Sequence, residues 1–341
     1  MDAFLRISPA ERRLACQQVD AQMQLQAVSV EKDFWVCWTL RELFHLPGVR
    51  ERLTFKGGTS LSKAWKFIRR FSEDIDLVVD KETLGFGGAA APEKAPSNKK
   101  RRERLAALVE AGRQWVQEKL QLALAGRIRS TLGETGWQLE VDPDLTDGQC
   151  LLFHYPTAFP QGTAGYVRPV VKIELGARSD NWPNEQKTIQ PYVAELFPIL
   201  VPEAAFAVRV IAAERTFWEK ACLLHEETFR PADKPRKLRM ARHYYDLWCL
   251  LRAGIGKRAL ADKDLFQRVA EHREIFFHLT WVDYRTHRPG SFRLTPPPHH
   301  AANWRADYQQ MLGPMFFGEV PTFDEILRLV GEFEQTFNAS A

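Results

Sequence analysis

The apolar positions of the chain change period twice. Through the first fifty residues they recur at helical spacing. Ser8-Pro9-Ala10-Glu11 is a capping box with proline at the first helical position. Ser29, with Glu31 in the following turn, caps a second helix that runs through Phe34, Trp35, Trp38, Leu40 and Leu43 and stops at Leu46-Pro47-Gly48. The period then shortens. Residues 53–56 and the β-branched run 75–79 read as strands, with a sharp Gly57-Gly58 turn and a helical stretch at 60–70 between them. Strand, glycine turn, helix, strand predicts the opening of an α/β unit. Residues 81–100 are rich in Gly, Ala and Pro and predict a mobile surface loop, followed by a long helix over 103–132. Strands are expected at 137–141, 150–155 and 169–175. Beyond Pro202 the spacing is helical again, at 214–226, 238–252, 262–277, 304–311 and 323–337.

This order predicts an α+β fold. A strand-containing core occupies 51–212, with N-terminal helices over 1–50 and a C-terminal helical bundle over 213–341.

Composition narrows the class without choosing a function. The 341 residues are 45% hydrophobic and 26% charged, which suits a folded globular chain and excludes disorder, collagen or a coiled coil as a global description. No apolar run reaches the length of a membrane span, and the N-terminus lacks the apolar stretch of a signal peptide, so no membrane association is expected. Five cysteines without CxxC spacing argue against a disulfide framework or a zinc site and for a reducing, cytoplasmic setting. The net charge of +4 decides little, but it is uneven. From Arg230 to Arg258 nine Lys/Arg face two Asp, a local +7. Such a stretch either tracks a phosphate backbone or forms a solvated helix face.

The chemistry is concentrated between Phe55 and Leu77. Gly57 and Gly58 at a strand end let the backbone approach a ligand and take positive φ. The start of the helix that follows suits phosphate, and Thr59 and Ser60 add hydroxyl donors. Asp74 and Asp76 stand two apart, so on a strand they share a face. Two carboxylates held together call for a cation between them, and hard oxygen ligands beside phosphate are the normal setting of Mg²⁺. Alone, a Gly-Gly pair is only a turn, and an Asp-x-Asp is a solvated strand end. Together they are more specific.

The combination resembles the DNA polymerase beta-like nucleotidyltransferase superfamily. More narrowly, Phe55-Lys56-Gly57-Gly58-Thr59-Ser60-Leu61-Ser62-Lys63, Arg70-Phe71-Ser72-Glu73-Asp74-Ile75-Asp76-Leu77 and the upstream Glu31-Lys32-Asp33-Phe34-Trp35 are similar to the AbiEii/AbiGii toxin family, which includes the MenT-like toxins. The resemblance covers about residues 30–255. It implies a polymerase beta-like core, a mixed sheet flanked by helices, and a nucleotidyltransferase of a type IV-like toxin–antitoxin or phage-defence system. NTP would be the substrate, Mg²⁺ or Mn²⁺ the metal, an RNA 3′ end (a tRNA) the acceptor, and an antitoxin the partner. Asp74 and Asp76 would bind metal. Glu174, in the apolar run Val170–Leu175, would be the third acid, although taken alone it reads as a surface strand residue. Lys220 and Asp246 match the family's Lys and Arg/Lys-x-x-x-Asp positions. Lys220 and Arg242 are then expected to contact phosphates, with Asp246 orienting one of them or assisting proton transfer. Gly57, Gly58, Thr59, Ser60, Lys63 and Ser72 complete the expected nucleotide-binding set. Two other readings stay open on the residues: transfer to a protein hydroxyl or phosphotransfer on the same fold, and a non-catalytic NTP- or RNA-binding module.

Overall fold

The computed structural model describes residues 1–160, 167–313 and 315–340. It divides into two compact units. The first comprises Met1–Trp65 and Phe71–Ile211, and the second comprises Lys66–Arg70 and Ala212–Ala341.

The first unit is built on a seven-stranded mixed sheet. Its strands are β1 (Leu53–Lys56), β2 (Ile75–Val79), β3 (Gln138–Val141), β4 (Cys150–His154), β5 (Val170–Gly176), β6 (Asn184–Ile189) and β7 (Phe206–Ile211). Their order across the sheet is β3-β4-β5-β2-β1-β7-β6. β2 runs parallel to β5 and β1 parallel to β7, while the remaining neighbours are antiparallel. Among the described residues this unit has the α-helices α1 (Asp2–Arg6), α2 (Pro9–Met23), α3 (Ala27–His45), α4 (Gly57–Lys63), α5 (Asn98–Trp115), α6 (Gln121–Leu132) and α7 (Tyr192–Leu196).

The Ser8 capping box opens α2 as the sequence predicts, with Ser8 and Glu11 exchanging hydrogen bonds. Ser29 does not cap α3. The helix starts two residues earlier, where Asp20 accepts from the Ala27 amide. α3 is apolar on most of its circumference, and its buried run from Ser29 to Leu40 places it inside the unit rather than on it. Trp35 meets Phe153 on β4 with ring centroids 5.8 Å apart.

The unit that begins with β1 is a tight return: β1 and β2 pair antiparallel, with Lys56 opposite Asp76. The intervening helix is only seven residues, Gly57–Lys63, instead of the expected 60–70. Lys66 adopts a left-handed conformation (φ 56°), and the Trp65 amide folds back onto the Ser60 carbonyl, so the helix stops and the chain returns beside the strand it left. The stretch 81–100, expected as a mobile surface loop, contains three short 3₁₀ turns, and its last residues already belong to α5. Asp80 caps the first turn, Lys81 pairs with Glu93, and Arg104 donates to the Ala91 carbonyl at 2.8 Å. The long helix expected over 103–132 is present as α5 and α6, joined by a π-helical turn at Val116–Leu120.

The second unit is helical. It contains α8 (Ala213–Glu227), α9 (Arg242–Arg252), α10 (Ile255–Ala261), α11 (Lys263–Phe276), α12 (Pro298–Met311) and α13 (Phe323–Asn338). On α13 the residues Phe323, Ile326, Val330, Phe333 and Phe337 recur at three- and four-residue spacing and are all buried. Their partners include Phe217 and Trp218 on α8, with Phe217–Phe333 centroids at 4.9 Å. The segment Lys66–Arg70 joins this unit through a β-bridge between Arg70 and Phe316. Among the described residues no helix is long and apolar enough to cross a membrane.

Candidate active site

The acidic centre lies on the sheet of the first unit. β5 alternates strictly: Val171, Ile173 and Leu175 are buried, while Lys172 and Glu174 lie on the opposite, half-exposed face. On β2 the buried Ile75 and Leu77 flank Asp76, which shares that second face. The parallel register sets Asp76 directly beside Glu174. Asp74 immediately precedes β2.

Gly57 closes the other side of Asp76. Because Lys56 is opposite Asp76, the next residue arrives against the Asp76 carboxylate. Gly57 has φ +76°, and a Cβ there would stand 1.9 Å from Asp76 Oδ2. Only glycine leaves that space open and takes that backbone conformation without strain. Thr59 and Ser60 are buried, and their hydroxyls are spent within the loop. Thr59 Oγ1 lies 2.6 Å from the Asp74 carbonyl and 2.9 Å from Ser72 Oγ, while Ser60 Oγ donates to the Gly57 carbonyl at 2.9 Å. Thr59 and Ser72 therefore hold the glycine turn to the Asp74 loop, and Ser60 closes the turn itself.

Lys63 turns to the interior. Its side chain is buried, its ammonium is 2.8 Å from Asp33 Oδ1, and it lies 3.5 Å from the centre of the Tyr192 ring. Burial lowers the Lys63 pKa, but Asp33 outweighs it and the net direction is upward. The neighbouring residues of α3 behave alike. Lys32 pairs with Glu73 at 2.5 Å, and Glu31 accepts from Thr157 Oγ1 and the Ala158 amide, both at 2.6 Å. The Glu31-Lys32-Asp33 run is thus internal bracing, with Lys32 holding the residue next to Asp74.

Glu174 is engaged by a cation of the protein itself. Lys172 Nζ is 3.1 Å from Glu174 Oε1 and 3.3 Å from Asp142 Oδ2. Among the described residues no three His, Cys, Asp or Glu side chains converge as a metal cluster. The donor set nevertheless suits a hard divalent ion: carboxylate oxygens at one sheet face, a side-chain ammonium at Glu174 where positive charge is called for, and an open glycine beside Asp76.

A second group of charges lies inside the helical unit. Asp246, fully buried on α9, accepts from Arg70 Nε at 2.7 Å and Nη2 at 2.8 Å, and pairs with Lys220 Nζ at 2.8 Å. Burial pushes the Asp246 carboxyl up, but Arg70 and Lys220 together hold it well below the usual carboxylate range. Burial lowers the Lys220 pKa; Asp246 opposes that shift, and Arg70 and Arg242 add to it. His243 Nδ1 is 3.5 Å from Lys220 Nζ, and burial with the Lys220 charge keeps this imidazole neutral. The sequence places Arg242 and Asp246 one turn apart, yet the carboxylate is taken by Lys220 and by Arg70. Arg70 was visible in the motif without a role, because nothing local connects it to α9.

The basic stretch 230–258 is partly neutralised by acids outside it. Arg230 and Arg236 both pair with Glu227, Arg252 with Glu319 and Arg258 with Glu214. All five cysteines are free and buried.

The profile of the family described as "Nucleotidyl transferase AbiEii toxin, Type IV TA system" matches residues 38–329. The chain belongs to the AbiEii nucleotidyltransferase toxin family. It is therefore a nucleotidyltransferase, and a toxin of the type IV toxin–antitoxin class, for which an antitoxin is the implied partner and NTP the implied substrate. This AbiEii-family chain is also similar to a solved structure, "MenT4, nucleotidyltransferase toxin Rv2826c from Mycobacterium tuberculosis H37Rv". The identity is 16% and the TM-score 0.40, covering 88% of this chain and 98% of that one. No curated protein matches the sequence.

Proposed function

We propose that this toxin transfers a nucleoside monophosphate from an NTP to the 3′ hydroxyl of an RNA, with a tRNA as the expected class, in a reaction dependent on Mg²⁺ or Mn²⁺. The observation that carries this reading is the register pairing of Asp76 with Glu174 beside the open Gly57. Asp74, Asp76 and Glu174 would hold the metal, which when bound neutralises phosphate oxygens and eases ionisation of the attacking hydroxyl. In the transfer the RNA 3′ oxygen bonds to the α-phosphorus, the α–β phosphoanhydride bond breaks, pyrophosphate leaves and the hydroxyl proton is lost. Gly57 and Gly58 leave room for the triphosphate. Thr59, Ser60 and Ser72 fix the two loops that carry the site. By the family pattern, Lys220 and Arg242 would be phosphate contacts. Arg70 and Asp246 position Lys220, and Lys63 acts through the fold rather than on the nucleotide.

The test is incubation of the protein with labelled NTPs, Mg²⁺ and total RNA, beside Asp76→Ala. Label on RNA 3′ ends that disappears in the variant supports the reading. Absence of transfer by the wild type, equal transfer by the variant, or label on protein instead of RNA overturns it.

A further inference from the structure

The first unit carries a cleft of about 410 Å³ on α1, α2, α3 and α6, whose lining includes Arg6, Arg12, Trp35, Arg127, Thr131 and Thr135. It does not belong to the acidic centre. Trp35 packs on Phe153, and Phe153 pairs in register with Val171, so this cleft stands on the sheet face of Val171, Ile173 and Leu175. Asp76, Lys172 and Glu174 occupy the other face.

Arg12 is the unusual residue of the cleft. It is 9% exposed, yet its Nε has no hydrogen-bond partner, and its side chain forms no ion pair with a described residue. The Glu31 charge acts on it, but the Glu31 oxygens are already taken by Thr157 and Ala158. The Trp35 indole N–H is fully buried and likewise has no partner. A buried donor left without an acceptor is costly, and the Arg12 Nε has none within the protein. Arg6 adds a second, exposed guanidinium with no ion pair to a described residue. The one acid in the lining, Asp2, is committed to Arg41. Arg127 is committed to the buried Glu42.

We infer that this cleft is a binding site for the phosphate ester of a small molecule, separate from the nucleotidyl-transfer centre. Two uncommitted guanidiniums call for close to two negative charges on one compact group, which a phosphate monoester carries and a single carboxylate does not. The planar fork of Arg12 matches two phosphate oxygens at once. The volume exceeds what one inorganic ion fills and falls in the range of small-molecule pockets, so the phosphate is expected to carry an organic body over the Trp35 side of the cleft.

The inference is tested by calorimetric titration of ribose 5-phosphate, inorganic phosphate and acetate into the full chain, without added divalent metal. The expected result is one ribose 5-phosphate per chain, bound more tightly than phosphate, with acetate not binding. Binding weakens at least tenfold in Arg12→Gln and several-fold in Arg6→Ala, and it is unchanged in Asp76→Ala. Arg12→Lys keeps the charge and removes the fork, so it retains the fold and still loses affinity. Arg6→Ala, at an exposed position, decides the matter if both Arg12 variants fail to fold. No binding of ribose 5-phosphate by the wild type, binding indifferent to both arginines, or binding lost in Asp76→Ala overturns the inference.

Discussion

Arg70 grips Asp246 with two nitrogens across 176 residues of chain, Nε to Oδ1 at 2.7 Å and Nη2 to Oδ2 at 2.8 Å. Lys220 shares the same carboxylate at 2.8 Å, so one buried anion serves two buried cations. The carboxylate is the member that the cluster can least do without.

Asp246→Asn is therefore expected to destabilise the protein by about 3–5 kcal/mol, since it leaves two cations buried without their counter-charge. Urea unfolding measures this. The pH dependence has a definite sign. The folded-state pKa of Asp246 is depressed, so its contribution is complete well above the ordinary aspartate value of about 4. It is lost as pH falls below that value toward the depressed one. The acid limb of the wild-type stability curve should flatten in Asp246→Asn; an unchanged limb would contradict the pairing.

Lys63→Met should lower stability by a similar margin, about 3–5 kcal/mol, by stranding the buried Asp33 carboxylate. The double variant Lys63→Met/Asp33→Leu should recover a good part of that loss. If Lys63 instead touched nucleotide, the single variant would keep its unfolding midpoint and lose NTP affinity.

Gly57→Ala should cost about 1–2 kcal/mol from the left-handed backbone alone. The added methyl also displaces the Asp76 carboxylate, whose Oδ2 would be 1.9 Å away. Transfer activity is expected to fall more than a hundredfold while the far-UV circular dichroism stays native. Gly58→Ala, at a glycine without positive φ, should retain more activity.

Lys172→Met frees Glu174 from its internal cation. Manganese affinity, followed by electron paramagnetic resonance of the free ion, should rise several-fold because the metal no longer competes with an ammonium 3.1 Å from the carboxylate. A fall in affinity would mean that Lys172 supports the metal site instead of opposing it.

Much of the sheet was legible in the chain because β2 and β5 are apolar and β-branched, and burial of such residues has few alternatives. β6 and β7 were not: Asn184–Ile189 is largely polar and is held by pairing with β7 rather than by a hydrophobic face, and the apolar Phe206–Ile211 lies beyond Pro202, where the dominant spacing is helical. Strand direction was equally hidden. Alternation tells which face a residue occupies but not which way the strand runs, and the antiparallel return of β2 depends on Lys66 turning the chain back. In the candidate site, Asp74, Asp76 and Gly57 announced themselves by spacing. Lys63 reads as a nucleotide contact because it closes the glycine motif, and the partner it has in the fold, Asp33, lies thirty residues away. Arg70 and Asp246 are further apart still, and no periodicity connects them.

The three charged residues at the start of α3 have a consequence for how the molecule can be cut or rearranged. Successive helix positions differ by about 100°, so Glu31, Lys32 and Asp33 radiate in three directions. Each reaches a different stretch of chain: residues 157–158, Glu73, and Lys63 with the Tyr192 amide. α3 is accordingly an axle and not an appendage. Removing the N-terminal helices would not expose a smaller catalytic core but release all three stretches at once, and a minimal active fragment of this toxin should have to begin before residue 27.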